Sequence, residues 1–114
     1  MNYNRSIKRK IELNANSEKV WSIISKKSNL ELFHPFCLKN PTIEWSDNSH
    51  KDTIYYLNGW ILERNWVNWI PGKGYDLLIG EKKKKKSYVS WRIIAGKNQQ
   101  SSILSIEVQP WFIN

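Results

Sequence analysis

Hydrophobic and polar positions along the chain predict one strand, two short helices and then a long series of strands. Residues 5–13 alternate apolar and charged side chains, interrupted at Arg9, as expected of a strand with one buried face. From Phe36 onward, β-branched and aromatic runs alternate with short turns. Because strands joined by short turns pair antiparallel, this part of the chain predicts a meander. Its strands are expected at residues 36–45, 53–57, 60–70, 75–79, 88–94 and 103–108.

Two helices are predicted between the first strand and the meander. Asn16 or Ser17 can cap the first helix, since a short side-chain oxygen accepts from the free N–H groups of the first turn. The second helix starts with a predicted capping box, Ser28–Glu31, and Pro35 keeps it short. The apolar face of the first helix contains Val20, Trp21 and Ile24.

These elements predict an α+β fold: a curved antiparallel sheet of about six strands, with two short helices after the first strand. An apolar sheet face needs a cover. One helix of two or three turns cannot cover six strands, so something else is expected on the concave side.

Length and composition narrow the class of protein. The chain has 114 residues, which favours one domain, and it is 40% hydrophobic with 7 Trp, which argues against disorder. The single cysteine, Cys37, excludes a disulfide scaffold. His34 and His50 lack a metal-binding spacing, so no metal and no cofactor is expected. The polar, basic N-terminus is not a secretory signal, so we expect a cytoplasmic protein.

Much of the net charge of +8 lies in one run, Lys82, Lys83, Lys84, Lys85 and Lys86. Like charges in a row resist packing, so the run is expected at a solvated hairpin tip. Such a tip can contact an anionic surface, with up to about 1 kcal/mol per Lys near anionic lipid. Alternatively, the lysine run keeps the protein soluble and protects the edge of the sheet. Because the remaining charge is modest, a nucleic-acid-binding domain is disfavoured.

The order of the motifs resembles the START/polyketide-cyclase (SRPBCC) superfamily, which has the helix-grip fold. The resemblance starts with the first strand, the helix Ser17–Ser25 with its Val-Trp pair, Asn29-Leu30 and His34-Pro35-Phe36. It continues through residues 64–70, the turn at 71–74, residues 75–78, Trp91 and residues 102–108. It covers nearly the whole chain, and the order is more specific than any single motif.

The resemblance also implies a departure from the family pattern. The family fold normally ends with a long C-terminal helix in the grip of the sheet, whereas this sequence stops at Asn114. We therefore expect a single START-like domain over residues 1–114 that is C-terminally incomplete. Exposed Trp and Ile on an open concave face would favour self-association, so a homo-oligomer that covers this face is expected.

The resemblance implies a container for an apolar small molecule, such as a lipid, a sterol or a polyketide, between sheet and helices. Arg64 would suit a carboxylate-bearing ligand, whereas Arg92 is expected on the outer face. The aromatic candidates can equally be plain core. The register of residues 60–70 is open: Trp60, Leu62, Trp66 and Ile70 share one parity, and Ile61, Val67 and Trp69 share the other. The candidate ligand-binding residues are Tyr56, Trp60, Arg64, Trp66, Trp91 and Leu104.

Binding or transport of an apolar small molecule is the leading hypothesis, and no residue is assigned a catalytic role. The first alternative is a cyclase/dehydratase-type enzyme that polarises a carbonyl with Glu63, Arg64 or His34. The second alternative is an accessory protein that docks on a membrane or RNA through Lys82–Lys86.

Overall fold

The computed structural model describes residues 5–110 and has the predicted α+β architecture. Two helices lie between the first and second strands, and short turns join most of the later strands. The helices are α1 (Ser17–Ile24) and α2 (Leu30–Phe33). The strands are β1 (Ile7–Leu13), β2 (Cys37–Lys39), β3 (Thr42–Trp45), β4 (His50–Tyr56), β5 (Ile61–Ile70), β6 (Gly74–Gly80), β7 (Ser87–Ala95) and β8 (Ser102–Gln109).

All strands form one curved antiparallel sheet in the order β1-β8-β7-β6-β5-β4-β2, and β3 also pairs with β4. The sheet has eight strands, more than the six or so predicted. The difference arises partly at residues 36–45, where β2 and β3 replace one expected strand. Asn40 and Pro41 separate them, and Pro41 has no N–H with which to continue a ladder.

Helix α1 packs its apolar face on the concave side of the sheet. Asn16 caps it, since its side-chain oxygen accepts from the Lys19 N–H at 2.8 Å. Val20 and Ile24 are buried and Trp21 packs beside them, which confirms the predicted helix face. The strand residues of this core are Trp66, Tyr75, Leu77, Val89 and Leu104.

The capping box predicted at Ser28–Glu31 is wrong. The Ser28 hydroxyl donates to the Asn40 carbonyl at 2.7 Å, and the Glu31 carboxylate accepts from the Asn40 N–H at 2.6 Å. Both side chains therefore satisfy the backbone of Asn40 rather than the start of the helix. This arrangement anchors α2 to the junction between β2 and β3.

A bulge in β5 resolves the register left open by the sequence. Trp66 pairs with Leu77, but Asn68 pairs with Asp76, so the register shifts at Val67. The bulge inverts the side-chain alternation, and Trp66 and Trp69 both reach the concave-side core. Neither parity inferred from a regular strand describes the whole of β5.

Strand β1 closes one edge of the sheet and leaves part of its apolar side uncovered. Ile7 pairs with Val108 and Ile11 pairs with Leu104, yet Ile7 is 41% exposed and Ile11 is 47% exposed. The expected absence of a C-terminal helix concerns the chain beyond residue 110 and lies outside the described residues. Within residues 5–110, no helix has the length and apolar character needed to span a membrane.

Candidate functional site

Two cavities open beside the core, and the first lies next to α2. This helix-side cavity has a volume of about 210 Å³. Its wall is mostly aliphatic, with three polar side chains, one from the residue that follows α2, one from β4 and one from β5. It is lined by Leu30, His34, Ile54, Tyr56, Arg64, Leu77, Ile79, Val89, Trp91, Ile106 and Val108.

The second, hairpin-side cavity lies against the turn between β6 and β7 and has a volume of about 520 Å³. It is lined by Trp60, Leu62, Ile79, Gly80, Glu81, Lys84, Lys85 and Ser87. Ile79 lines both cavities, so the two are neighbours on the concave face. Pockets for small molecules usually have about 300–1,000 Å³. The hairpin-side cavity falls within that range, and the helix-side cavity is smaller.

Arg64 is the buried charge beside the helix-side cavity. It faces Asp52 across β4 and β5, and the two side chains form a bidentate ion pair. Arg64 Nε donates to Asp52 Oδ1 at 2.8 Å, and Nη2 donates to Oδ2 at 2.5 Å. Both side chains are almost fully buried. The Arg64 guanidinium also lies 4.5 Å from the centre of the Trp66 ring.

Two buried asparagines complete the surroundings of Arg64. Nη2 also donates to Asn29 Oδ1 at 3.1 Å and to Asn40 Oδ1 at 3.3 Å. Asn29 in turn donates to the Ile24 carbonyl, so the network joins the end of α1 to the sheet. None of these bonds uses Nη1. Arg64 is thus largely neutralised by Asp52 and has one amino group left for a ligand in the cavity that it lines.

His34 and Tyr56 add two further polar groups to the same cavity. Their rings meet edge to face with centroids 5.6 Å apart. His34 Nδ1 accepts from the Phe36 N–H at 3.1 Å, so in neutral His34 the proton is on Nε2. Burial raises the pKa of Tyr56, and Arg64 offsets part of that rise, so the phenol stays protonated at neutral pH. Both side chains can therefore donate a hydrogen bond.

The sequence-predicted site residues separate into three groups. Tyr56, Arg64 and Trp91 line the helix-side cavity. Trp60 is 64% exposed and lines the hairpin-side cavity instead. Trp66 and Leu104 belong to the core beneath α1 and line neither cavity. Trp66 precedes the bulge in β5 and shares the parity of Arg64, and its ring packs against Trp69, which the bulge turns inward, and against Tyr75.

Two charged residues considered from the sequence lie on the outer face. Glu63 pairs with Thr53 and Gly80 and lies on the opposite side of the sheet from Arg64. It therefore cannot polarise a carbonyl in the helix-side cavity, as the enzyme hypothesis would require. Arg92 lies on the outer face as expected, and its Nη1 is 2.9 Å from Asp76 Oδ1.

Sequence reasoning missed Asp52, Asn29 and Asn40 as partners of Arg64. Asp52 lies just before the strand predicted at residues 53–57, although it shares its parity in β4 with Ile54 and Tyr56. That alternation was the signal available. Nothing in the sequence signals the two asparagines, since only the tertiary fold brings them to β5.

The lysine run forms the predicted hairpin tip between β6 and β7. Residues 81–85 are exposed, and Lys84 pairs with Glu81 at 2.9 Å across the turn. Two lysines of the tip, Lys84 and Lys85, line the hairpin-side cavity.

The surroundings of Cys37 disfavour a reactive thiol. Burial raises the pKa of the Cys37 thiol, and the nearby Glu31 carboxylate raises it further, so the thiolate is disfavoured. Across residues 5–110, no group of three or more His, Cys, Asp or Glu side chains could hold a metal ion.

Comparison with known proteins identifies the fold. At the level of sequence, no family model and no curated protein matches the chain. A putative uncharacterised protein from Bacillus thuringiensis superposes with a TM-score of 0.78 at 11% identity, over 96% of this chain and 82% of that one. A START superfamily protein from Mycobacterium smegmatis superposes with a TM-score of 0.73 at 12% identity, over 93% and 76%. The ZhuI aromatase/cyclase from a Streptomyces species gives 0.75 at 13% identity, over 91% and 66%.

The chain therefore has the START-like helix-grip fold that its motif order resembles. Two aromatase/cyclases are among the similar structures, ZhuI and the di-domain protein BexL. At these identities the likeness concerns the fold, and function has to be argued from the cavities.

Proposed function

We propose that the protein binds an apolar small molecule on the concave face of the sheet, in the helix-side cavity. The observation that carries the proposal is the cavity wall, which is aliphatic and aromatic except for His34, Tyr56 and Arg64. Binding pockets for small molecules combine such a wall with a few polar groups that fix orientation.

The three polar groups favour a ligand with an acceptor oxygen. His34 Nε2, the Tyr56 hydroxyl and Arg64 Nη1 can all donate, and the Arg64 charge is balanced by Asp52. A carbonyl or hydroxyl oxygen matches these donors without adding a charge to a buried site. Lipids, sterols and polyketide-like molecules all carry carbonyl or hydroxyl oxygens on a largely apolar body.

A cavity-filling variant tests the proposal. Val108 lines the cavity, and its neighbour Gln109 lies on the opposite face of β8. We expect Val108→Trp to weaken binding of the neutral dye 1-aminoanthracene at least about tenfold, because the new ring occupies the space of the ligand. The matched variant Gln109→Trp should bind the dye as the wild type does. Equal binding by wild type and Val108→Trp, with both folded, would contradict the proposal.

A cyclase/dehydratase-type enzyme is the second candidate function. The convergence of His34, Tyr56 and Arg64 on one cavity favours it, since such donors can polarise a carbonyl. Proton abstraction also needs a base, and His34 Nδ1 is occupied by the Phe36 N–H. Incubation with a β-hydroxy ketone distinguishes the two functions. An enzyme converts it to the unsaturated ketone and water, which mass spectrometry detects as a lower mass of the ketone, whereas a carrier returns the ketone unchanged.

A homo-oligomer would place a second copy over the same concave face. Exposed Ile7 and Ile11 on the edge strand support this arrangement. Light scattering with and without the dye distinguishes the arrangements, because a copy that covers the cavity has to leave when the ligand binds.

A further inference from the structure

The hairpin-side cavity combines an apolar wall with concentrated positive charge. Trp60, Leu62 and Ile79 form its apolar part, and Lys84 and Lys85 of the lysine tip complete it. The turn from Glu81 to Lys86 contains five lysines and one glutamate. The turn thus carries a net charge of +4, although Lys84 pairs with Glu81, whereas the one charged residue that lines the helix-side cavity, Arg64, is balanced by Asp52.

The turn has a defined shape. The Lys84 N–H donates to the Glu81 carbonyl at 3.1 Å, and Lys86 Nζ donates to the carbonyls of Glu81 and Lys84 at 3.2 Å. Lys84 Nζ also reaches the Glu81 carboxylate at 2.9 Å. Lys84 is thus within ion-pair distance of one carboxylate that also lines the cavity.

We propose that the hairpin-side cavity binds an amphiphile with one anionic head group, a carboxylate or a phosphate. The head group lies against Lys84 and Lys85, and the apolar chain lies against Trp60, Leu62 and Ile79. Charge complementarity selects the head group, and the volume of about 520 Å³ accommodates a molecule of small-ligand size. Because Ile79 lines both cavities, the apolar chain of such a ligand lies next to the helix-side cavity. To that extent the inference rests on the proposed function.

A pair of probes that differ in charge tests the proposal. Decanoate and decan-1-ol have the same chain length, but only decanoate is anionic at neutral pH. We expect decanoate to bind the wild type about tenfold more tightly at low ionic strength, with a smaller difference in high salt. Isothermal titration calorimetry measures both affinities, with decanoate kept below its micelle concentration and decan-1-ol below its solubility limit.

A double variant locates the charge selection. Lys84→Gln/Lys85→Gln should lower decanoate affinity to that of decan-1-ol and leave decan-1-ol affinity unchanged. The matched control is Lys26→Gln/Lys27→Gln, which removes two exposed lysines beyond the end of α1. Equal affinities of the two probes in the wild type, or an equal loss in the control, would overturn the proposal.

Vesicles distinguish a free amphiphile from a bilayer lipid. Binding of monomeric decanoate supports the cavity whether or not vesicles bind. Binding to phosphatidylglycerol vesicles but not to decanoate overturns it and makes the tip a membrane contact, and binding only to RNA overturns it equally.

The same measurements distinguish a failure of this proposal from a failure of the proposed function. If decan-1-ol binds and Val108→Trp abolishes that binding while decanoate shows no advantage, only the charge selection is wrong. If decanoate is selected through Lys84 and Lys85 while Val108→Trp has no effect on either probe, only the helix-side cavity is wrong.

Discussion

Arg64 and Asp52 face each other across β4 and β5 as a buried, bidentate ion pair beneath α2. The pair does two things at once. It holds the second helix through Asn29 and Asn40, and it places a neutralised guanidinium beside the helix-side cavity. A buried arginine without this partner would demand an anionic ligand, whereas the paired one offers a donor to a neutral oxygen.

Breaking this pair should destabilise the fold strongly. We expect Asp52→Asn to lower the free energy of unfolding by about 3–5 kcal/mol, because it leaves the Arg64 charge buried and uncompensated. The double variant Asp52→Leu/Arg64→Met removes both charges and should lose less than Asp52→Asn alone. Urea denaturation measures both. A single variant as stable as the wild type would contradict the structural role of the pair.

The lowered pKa of the Asp76 carboxyl predicts a loss of fold stability in acid. Burial alone would raise its pKa, but Arg92, Asn68, Ser90 and Tyr88 outweigh burial and lower the pKa from 3.8 to about 2. A carboxylate whose pKa is lower in the folded state stabilises the fold above its unfolded pKa. That contribution, about 2 kcal/mol, is lost as the pH falls from about 4 to about 2.

Asp76→Asn should therefore be less stable than the wild type at neutral pH and should lose less stability between pH 4 and 2. Urea denaturation at several pH values measures this slope. The exposed residue Asp47 provides the control Asp47→Asn, for which we expect the wild-type slope. If the unfolding free energy of the wild type and of Asp76→Asn changed equally between pH 4 and 2, the loss of stability in acid could not be assigned to Asp76.

Gly74 is required by close packing against β7. A Cβ at this position would lie 1.9 Å from the Trp91 carbonyl oxygen, and its φ of +146° disfavours other residues. Gly74→Ala should thus cost more than Gly72→Ala, where φ is +78° and no atom lies within 4 Å of the added Cβ. We expect about 1–2 kcal/mol for Gly72→Ala from the backbone alone. Thermal unfolding ranks the two variants, and a smaller loss at Gly74 would contradict the packing.

Much of the fold could be predicted from the sequence because the signals were local. The spacing of Val20 and Ile24 placed α1, and the turn residues separated the later strands. The bulge at Val67 could not be predicted, since a regular alternation allows only two registers and a bulge uses part of each. Ser28 and Glu31 fit the local pattern of a capping box, but their side chains bond instead to the backbone of Asn40, which the tertiary fold brings close.

The site was harder to predict than the fold. Tyr56, Arg64 and Trp91 line the helix-side cavity, but the hydrogen-bond partners of Arg64 come from three separate segments. Trp60 is an aromatic residue next to a strand, and only the turn geometry places it at the hairpin-side cavity. Local patterns give the type of side chain, whereas the pairing of buried charges depends on the tertiary fold.

Tryptophan indole signals provide the most direct test of ligand binding on the concave face. Each of the 7 Trp residues has one indole N–H. In the NMR spectrum of a protein labelled with the heavy isotope of nitrogen, each indole N–H gives its own signal, and single Trp→Phe variants assign these signals. Trp91 lines the helix-side cavity, whereas Trp45 packs against His50 and Trp66 away from it. On titration with decan-1-ol, we predict a saturable shift of the Trp91 signal and an unchanged Trp45 signal. A Trp91 signal that stays in place at saturating decan-1-ol would contradict the proposed function.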